Sequence, residues 1–421
     1  MKALVSLIGL LSFFLNIKHL NSSTILLTPV NFAVSGLSSK SITRHHIKQT
    51  KYMEFKVSSG DLLKHLNIVA GAIHTNPVLA ITEDFLVEIK KGTMTLTATN
   101  LETSISTRMA VESKENGSVA IPAKILMETL KALPNQQVTF EADLEQRSLV
   151  LTTETGMYKM AIDPPDDFPV LPTSSDNEIE IPVERLLSGI NYTIFATTSD
   201  EMRPAMTGVN VVVDFNKISF VASDGHKLVR YHALGTSTEQ TGSFVVPKKA
   251  MSLLKGATPS EGSVFLKYNK SHAFFRFADT EVICRLINQA FPDFNAVIPV
   301  SNKNVLYVSR THLLGALRRI NIFANRTTNQ VFFGLADNSL TITTKDLDFS
   351  NEASEQLSCE YEGDPMDIAF NARFFIELLN ALSQEEIHMT MSVPSKPVLI
   401  YPDEQIEHEE VMMLIMPVII Y

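Results

Sequence analysis

A chain of 421 residues, 45% apolar and 19% charged, suggests roughly two to four globular domains and excludes disorder, collagen or a coiled coil as its overall form. Its net charge of −10, taken alone, argues against a nucleic-acid binder. Two cysteines, Cys284 and Cys359, cannot build a disulfide framework and fall short of a four-ligand zinc site, so a reduced compartment is expected.

The average charge hides a break. Residues 1–53 carry Lys2, Lys18, Lys40, Arg44, Lys48 and Lys51 and no acid; the first is Glu54. Removing that +6 from −10 leaves −16 for the other residues. Residues 3–15 are almost wholly apolar behind Lys2, the outline of a secretory signal without a clean cleavage site and too short for a membrane span. The alternative is that Met53 is the true start, and residues 1–52 are then a basic leader outside the fold.

From residue 53 one order of elements recurs three times, at about 120 residues per unit, far longer than a solenoid period. The first unit opens with a short strand and helix over residues 55–63, with Ser58 or Ser59 as N-cap. Residues 94–100 alternate cleanly, setting Met94, Leu96 and Ala98 on one face. Residues 119–130 read as a strand running into a second helix, with Pro122 at its start. Phe168 to Pro172 closes the unit and 173–177 is a polar linker. The second unit repeats this order at 179–187, 218–224 and 244–254, with Pro247 at the helix start. It adds a hairpin, 264–268 against 273–277, closes with 291–299 and is followed by a linker at 301–304. The third repeats it at 306–314, with Ser309 as cap, then 340–346 and 368–379, with a hairpin turning at Asp337-Asn338. The units are expected at 53–175, 176–302 and 303–421. Each reads as α+β, two helices on mainly antiparallel sheet. Residues 411–421 are apolar at the chain's end; 411–414 read as a buried edge strand that Pro417 terminates.

Fused copies of one unit pack head to tail through equivalent surfaces, and such contacts close into a ring where the rotation allows. Charge is segregated within the repeat. The six predicted helices (60–74, 122–133, 183–198, 247–256, 309–326, 371–382) sum to +8, leaving −24 for sheets and loops. Lys124, Lys131, Lys248, Lys249, Lys255, Arg310, Arg318, Arg319 and Arg326 are the candidate cations. A ring with helices inside would offer a positive lumen to a polyanion and an acidic rim that repels it.

These residues resemble the bacterial DNA polymerase III beta subunit family, the sliding clamps, over 53–421. The likeness rests on the triple repeat, the run Ser223-Asp-Gly-His-Lys-Leu228 and the Met-Pro of the C-terminal tail. It implies a head-to-tail homodimer of three-domain protomers, a six-domain ring around double-stranded DNA without sequence specificity. It also implies a non-catalytic cytoplasmic processivity subunit of a nucleotidyltransferase holoenzyme, with no cofactor and no metal. Partners would be the replicative polymerase catalytic subunit, the clamp loader, and other replication and repair proteins. Their peptides would enter an apolar pocket between the second and third domains. Residue by residue, the resemblance assigns to that pocket Met206 in Arg203-Pro-Ala-Met-Thr-Gly208, then Ser223, Gly225, His226, Lys227 and Leu228. It adds Pro292 and Val297 on the closing loop, and Leu414, Met416, Pro417 and Val418 in the tail. Ala296 and Ile419 stand where the family commonly has arginine.

No Walker loop, G-x-G-x-x-G after a strand, H-E-x-x-H or G-x-S-x-G is present. Asp166-Asp167, Glu178/Glu180 and residues 407–410 read as solvated loop and edge charge. The competing class is an exported three-domain binding protein addressed by the leader.

Overall fold

The computed structural model describes residues 52–419 except 75, 175–177, 237 and 240. The basic leader, apart from Tyr52, and part of the first linker lie outside the described residues.

Among the described residues are six α-helices, two to a unit: α1 (Ser59–Ala70), α2 (Ala123–Ala132), α3 (Val183–Thr193), α4 (Lys248–Ala257), α5 (Arg310–Ile320) and α6 (Ala372–Ala381). The N-cap of α1 is Ser58, whose side chain accepts from Asp61 N at 3.3 Å; Ser309 does the same for α5 from His312 N at 3.5 Å. Pro122 and Pro247 end strands and stand at the N-caps of α2 and α4. At the third such corner Asn371 supplies the cap with its side chain, accepting from Arg373 N and Phe374 N.

Helices pack in pairs, α1 with α2, α3 with α4 and α5 with α6, against the strands of their own unit. The strands alternate as their sequences do. Met94, Leu96 and Ala98 on Thr93–Thr99 are fully buried in one apolar core that runs through all three units. The hairpin of the third unit turns at Asp337-Asn338, both with positive φ (22° and 58°), the backbone a tight hairpin requires.

All strand pairs are antiparallel, yet the sheets do not stop at the unit boundaries. An eight-stranded sheet joins the first unit to the second where Thr103–Ala110 pairs with Thr280–Arg285. A nine-stranded sheet joins the second to the third where Lys227–Leu234 pairs with Glu409–Ile415. The expected edge strand at 411–414 is therefore an interior strand, bonded on its other side to Val398–Pro402. It ends at Ile415, ahead of Pro417. A five-stranded sheet in the first unit has Met157–Ala161 at one edge, and a four-stranded sheet in the third has Asn351–Ser358 at one edge. Met157 and Tyr158 are 72% and 40% exposed there.

Two further expectations change. Arg326 lies beyond the end of α5, which stops at Ile320. Glu409, read as a solvated charge, is buried as the first residue of its strand, because the pairing with Ala233 carries it into the sheet. No described helix is long and apolar enough to cross a membrane.

Candidate functional site

The turn at residues 223–227 is built by its own polar side chains. Asp224 Oδ1 accepts from His226 N (2.8 Å) and Lys227 N (2.9 Å). Ser223 Oγ donates to Lys227 O (2.8 Å) and accepts from Gly225 N (3.1 Å). Gly225 has φ +91°, and a Cβ there would meet Arg203 Nη1 at 2.8 Å. Arg203 needs that space. Its Nη1 donates to Asp224 O at 2.9 Å, while its Nε pairs with Asp200 at 2.9 Å.

Lys227 carries the turn to the third unit. Its Nζ is buried, 2.5 Å from Asp224 Oδ2 and 2.9 Å from Glu377 Oε2 on α6, and 4.7 Å from the centre of the Phe374 ring. Burial alone would raise the Asp224 carboxyl; Lys227 and the two backbone donors outweigh it and hold the group below the usual carboxylate range. His226 stacks on Phe374 at 5.1 Å, and its carbonyl accepts from Met416 N at 2.8 Å. The turn, α6 and the C-terminal tail are thus tied together at one point.

Beside this knot lies a cavity of 310 Å³. Ten of the twelve residues expected there line it: Met206, Ser223, Gly225, His226, Lys227, Leu228, Pro292, Val297, Leu414 and Met416. Pro417 and Val418 do not; Val418 N instead donates to Ala369 O at 2.8 Å, fixing the tail against the third unit. Arg203, Phe291, Asp293 and Phe294 line the cavity and were not among the expected residues. All four stand in the two segments from which Met206 and Pro292 were taken, residues 203–208 and 291–299. Under the cavity Val221, Leu228, Leu399, Met412 and Leu414 form a small apolar cluster, packed by Phe291, Phe294 and Ile298. Ala296 puts no cation on the rim; Arg203 is the lining arginine. A larger cavity, of 730 Å³, opens elsewhere on the second unit among amide side chains such as Asn210, Asn288 and Gln289, and shares Phe291. None of the expected site residues reaches it.

Among the described residues the candidate cations divide into free and engaged groups. Lys124, Lys131, Lys248, Lys249 and Lys255 are exposed on α2 and α4. Arg310 is partly buried and donates to Gln384 O at 2.6 Å and Leu379 O at 3.4 Å, anchoring the end of α6. Arg318 Nη2 donates to Asn380 Oδ1 at 2.6 Å. Arg319 forms a two-pronged pair with Glu355, at 2.6 and 2.9 Å, which keeps the glutamate below its usual range. Arg326 is exposed beyond the helix. Among the described residues no group of three or more His, Cys, Asp or Glu could hold a metal ion. Glu178 is paired with Arg276 (2.8 Å) and Lys267 (3.3 Å).

Three family models match the chain in order: the N-terminal domain of the DNA polymerase III beta subunit at 53–172, its central domain at 180–293 and its C-terminal domain at 295–418. The beta sliding clamp of Synechococcus elongatus is 28% identical over 361 residues, covering 83% of this chain and 96% of that relative. That of Vibrio cholerae is 26% identical over 369 residues, covering 87% and 100%. Among solved structures, the DNA polymerase sliding clamp of Bacillus subtilis superposes with a TM-score of 0.83 at 22% identity, over 88% of this chain and all of that one. A sliding clamp of Pseudomonas aeruginosa bound to griselimycin superposes at 0.82 and 23% identity, over 87% and 100%. At such identities these superpositions speak for the fold alone.

Proposed function

The chain belongs to the DNA polymerase III beta subunit family, and from that premise we propose that it acts as a cytoplasmic, non-catalytic DNA sliding clamp. Two copies join head to tail into a ring of six units. The ring encloses duplex DNA, and the 310 Å³ cavity takes short apolar peptides of the replicative polymerase, the clamp loader and other replication and repair proteins.

The observation that carries the ring is the way the units already join. At both internal junctions the third strand of one unit's meander pairs with the closing strand of the next unit. The third unit's meander strand, Asn351–Ser358, and the first unit's closing strand, Met157–Ala161, are the two of that set left at sheet edges. A protomer with one unpaired edge of each kind at its two ends is suited to heterologous assembly, and repeating one rotation closes it. Retention is then topological. The exposed lysines of α2 and α4 attract phosphates without reading bases, weakly enough to permit sliding.

The cavity suits several partners. Its Met206 and Met416 repack around different side chains, its floor is apolar, and Arg203, Lys227 and the 223–227 backbone fix its shape. The deciding experiment loads the protein onto nicked circular DNA with a clamp loader and ATP. It measures DNA-bound protein in high salt before and after the circle is cut. Retention followed by loss on cutting is expected, since salt removes electrostatic binding and leaves topology untouched. Failure to remain on intact circles with a working loader would overturn the reading.

A further inference from the structure

We propose that the second copy adds its Asn351–Ser358 to Met157–Ala161 in one defined register, Tyr158 opposite Ala353, and that the Lys159–Glu352 ion pair this creates sets the register. The inference rests on the ring reading above and goes beyond it to individual contacts.

The register follows from the two junctions inside the chain. The first places Ile105 opposite Val282, and the second places Val229 opposite Met413. Ile105 and Val229 occupy one place in the repeat, because each faces the alanine two residues before the closing polar residue of its preceding strand: Ala98 and Ala222. In the third unit that position is Thr344, and it faces Ala353. The other partner is found in the same way. In the second unit, pairing runs from Ile179 to Leu266, Phe275 and Val282. In the third it runs from Leu306 to Met389, Ile400 and Met413. In the first it runs from Phe55 to Phe140, Leu151 and Tyr158. Tyr158 is therefore the counterpart of Val282 and Met413, and Ala353 that of Ile105 and Val229.

Size and charge agree with the register. At the internal junctions medium side chains meet, valine with isoleucine and methionine with valine. At the open ends a large side chain faces a small one, tyrosine with alanine. Ala353 packs on the apolar core, on the side that Ile105 and Val229 occupy. Antiparallel pairing then brings Lys159 opposite Glu352 on the other face. Both are exposed, and Glu352 has only a loose partner, Lys345 at 3.7 Å. A two-residue slip would put Lys159 opposite Ser350 or Ser354 and Tyr158 opposite Asn351 or Glu355. A one-residue slip would turn every side chain to the wrong face.

The helix layer supplies an independent sign. At the first junction α1 meets α4, and Gly71 lies against Leu253. The counterpart of Gly71 in the third unit is Ile322, 77% exposed beside Phe323 at 43%; α2, the counterpart of α4, exposes Ile125 at 46%. These apolar residues lie where a second copy would cover them.

The test is a charge swap in the full chain, read by sedimentation equilibrium, with circular dichroism to check folding. Lys159→Glu and Glu352→Lys should each raise the dimer dissociation constant by about tenfold or more, since each sets like charges opposite at both interfaces of the ring. The double variant should recover most of the parent affinity. A dimer that forms normally in both single variants, or that the double swap does not rescue, overturns this register and leaves the ring standing. A parent chain that stays monomeric at every concentration overturns the ring as well.

Discussion

Lys227, at the start of a second-unit strand, reaches Glu377 on α6 of the third unit, with Nζ 2.9 Å from the carboxylate. The partners are unequally placed. The lysine side chain is 4% exposed and also holds Asp224, whereas Glu377 is 49% exposed. Lys227→Met should therefore cost about 3–5 kcal/mol, because it strands the buried Asp224 carboxylate without its cation. Glu377→Ala should cost less than about 1 kcal/mol, since the lysine keeps Asp224 and the lost partner faces water. Urea unfolding of the two variants decides the matter. Equal losses would mean that the pair, rather than the Asp224 turn, holds the units together.

Gly225→Ala tests the same turn through the backbone. A side chain at φ +91° is strained, and its Cβ would displace Arg203 from the Asp224 carbonyl. The expected cost is about 1–3 kcal/mol, with a weaker grip on partner peptides because Arg203 also lines the cavity. Wild-type stability and peptide affinity in this variant would show that the turn does not shape the pocket.

Truncation separates the tail's two tasks. Ending the chain after Ile415 removes Met416 and the Val418 contact with Ala369 but keeps the strand Glu409–Ile415 whole. That variant should fold and dimerise yet lose most partner-peptide binding. Ending it before Val411 removes an interior strand of the nine-stranded sheet and should leave the third unit unfolded. Circular dichroism and peptide titration on both read the difference. Full peptide affinity in the shorter truncation would place the recognition elsewhere.

The triple repeat and most of the pocket were readable because both lie in local pattern. Period-2 runs such as residues 94–100, the prolines before α2 and α4, and the 223–228 turn each carry their structure within a few residues. The joining of the sheets was not readable in that way. Residues 411–415 look like an edge strand because only one partner, Val398–Pro402, is nearby in sequence; the other, Lys227–Leu234, lies some 180 residues earlier. The same blindness hid Phe374 and Glu377, which reach the turn from α6, and the burial of Glu409. Charge counting could not show that Arg326 falls beyond the end of α5, nor that Arg310 and Arg319 are already engaged.

That engagement orders the effect of charge removal. Replacing Lys248, Lys249 and Lys255 together by alanine should weaken loading onto DNA and flatten its salt dependence by about two to three units of slope, since these lysines are exposed on or beside one helix. Arg319→Ala should do less, because it removes one cation rather than three and that guanidinium is already held by Glu355 rather than open to a phosphate. Binding measured across a salt series compares them. An arginine effect as large as that of the three lysines would mean that the Glu355 pair opens on DNA.

Asp84 gives a pH dependence of known sign. It is 4% exposed, its Oδ2 meets no partner, and burial, then the neighbouring Asp163 and Glu83, push its carboxyl up to about 7. The folded state therefore binds this proton more tightly than the unfolded chain, where the group titrates near 4. Stability from this site is fullest below pH 4 and falls as pH rises through 7, where a buried carboxylate must form beside Asp163. Asp84→Asn removes that ionisation. The variant should match the parent near pH 4 and exceed it at pH 8 by about 2–4 kcal/mol. Urea melts at the two values test this, with the difference between variant and parent cancelling other titrations such as that of buried His232. A constant difference across pH would show that Asp84 is not protonated in the folded protein.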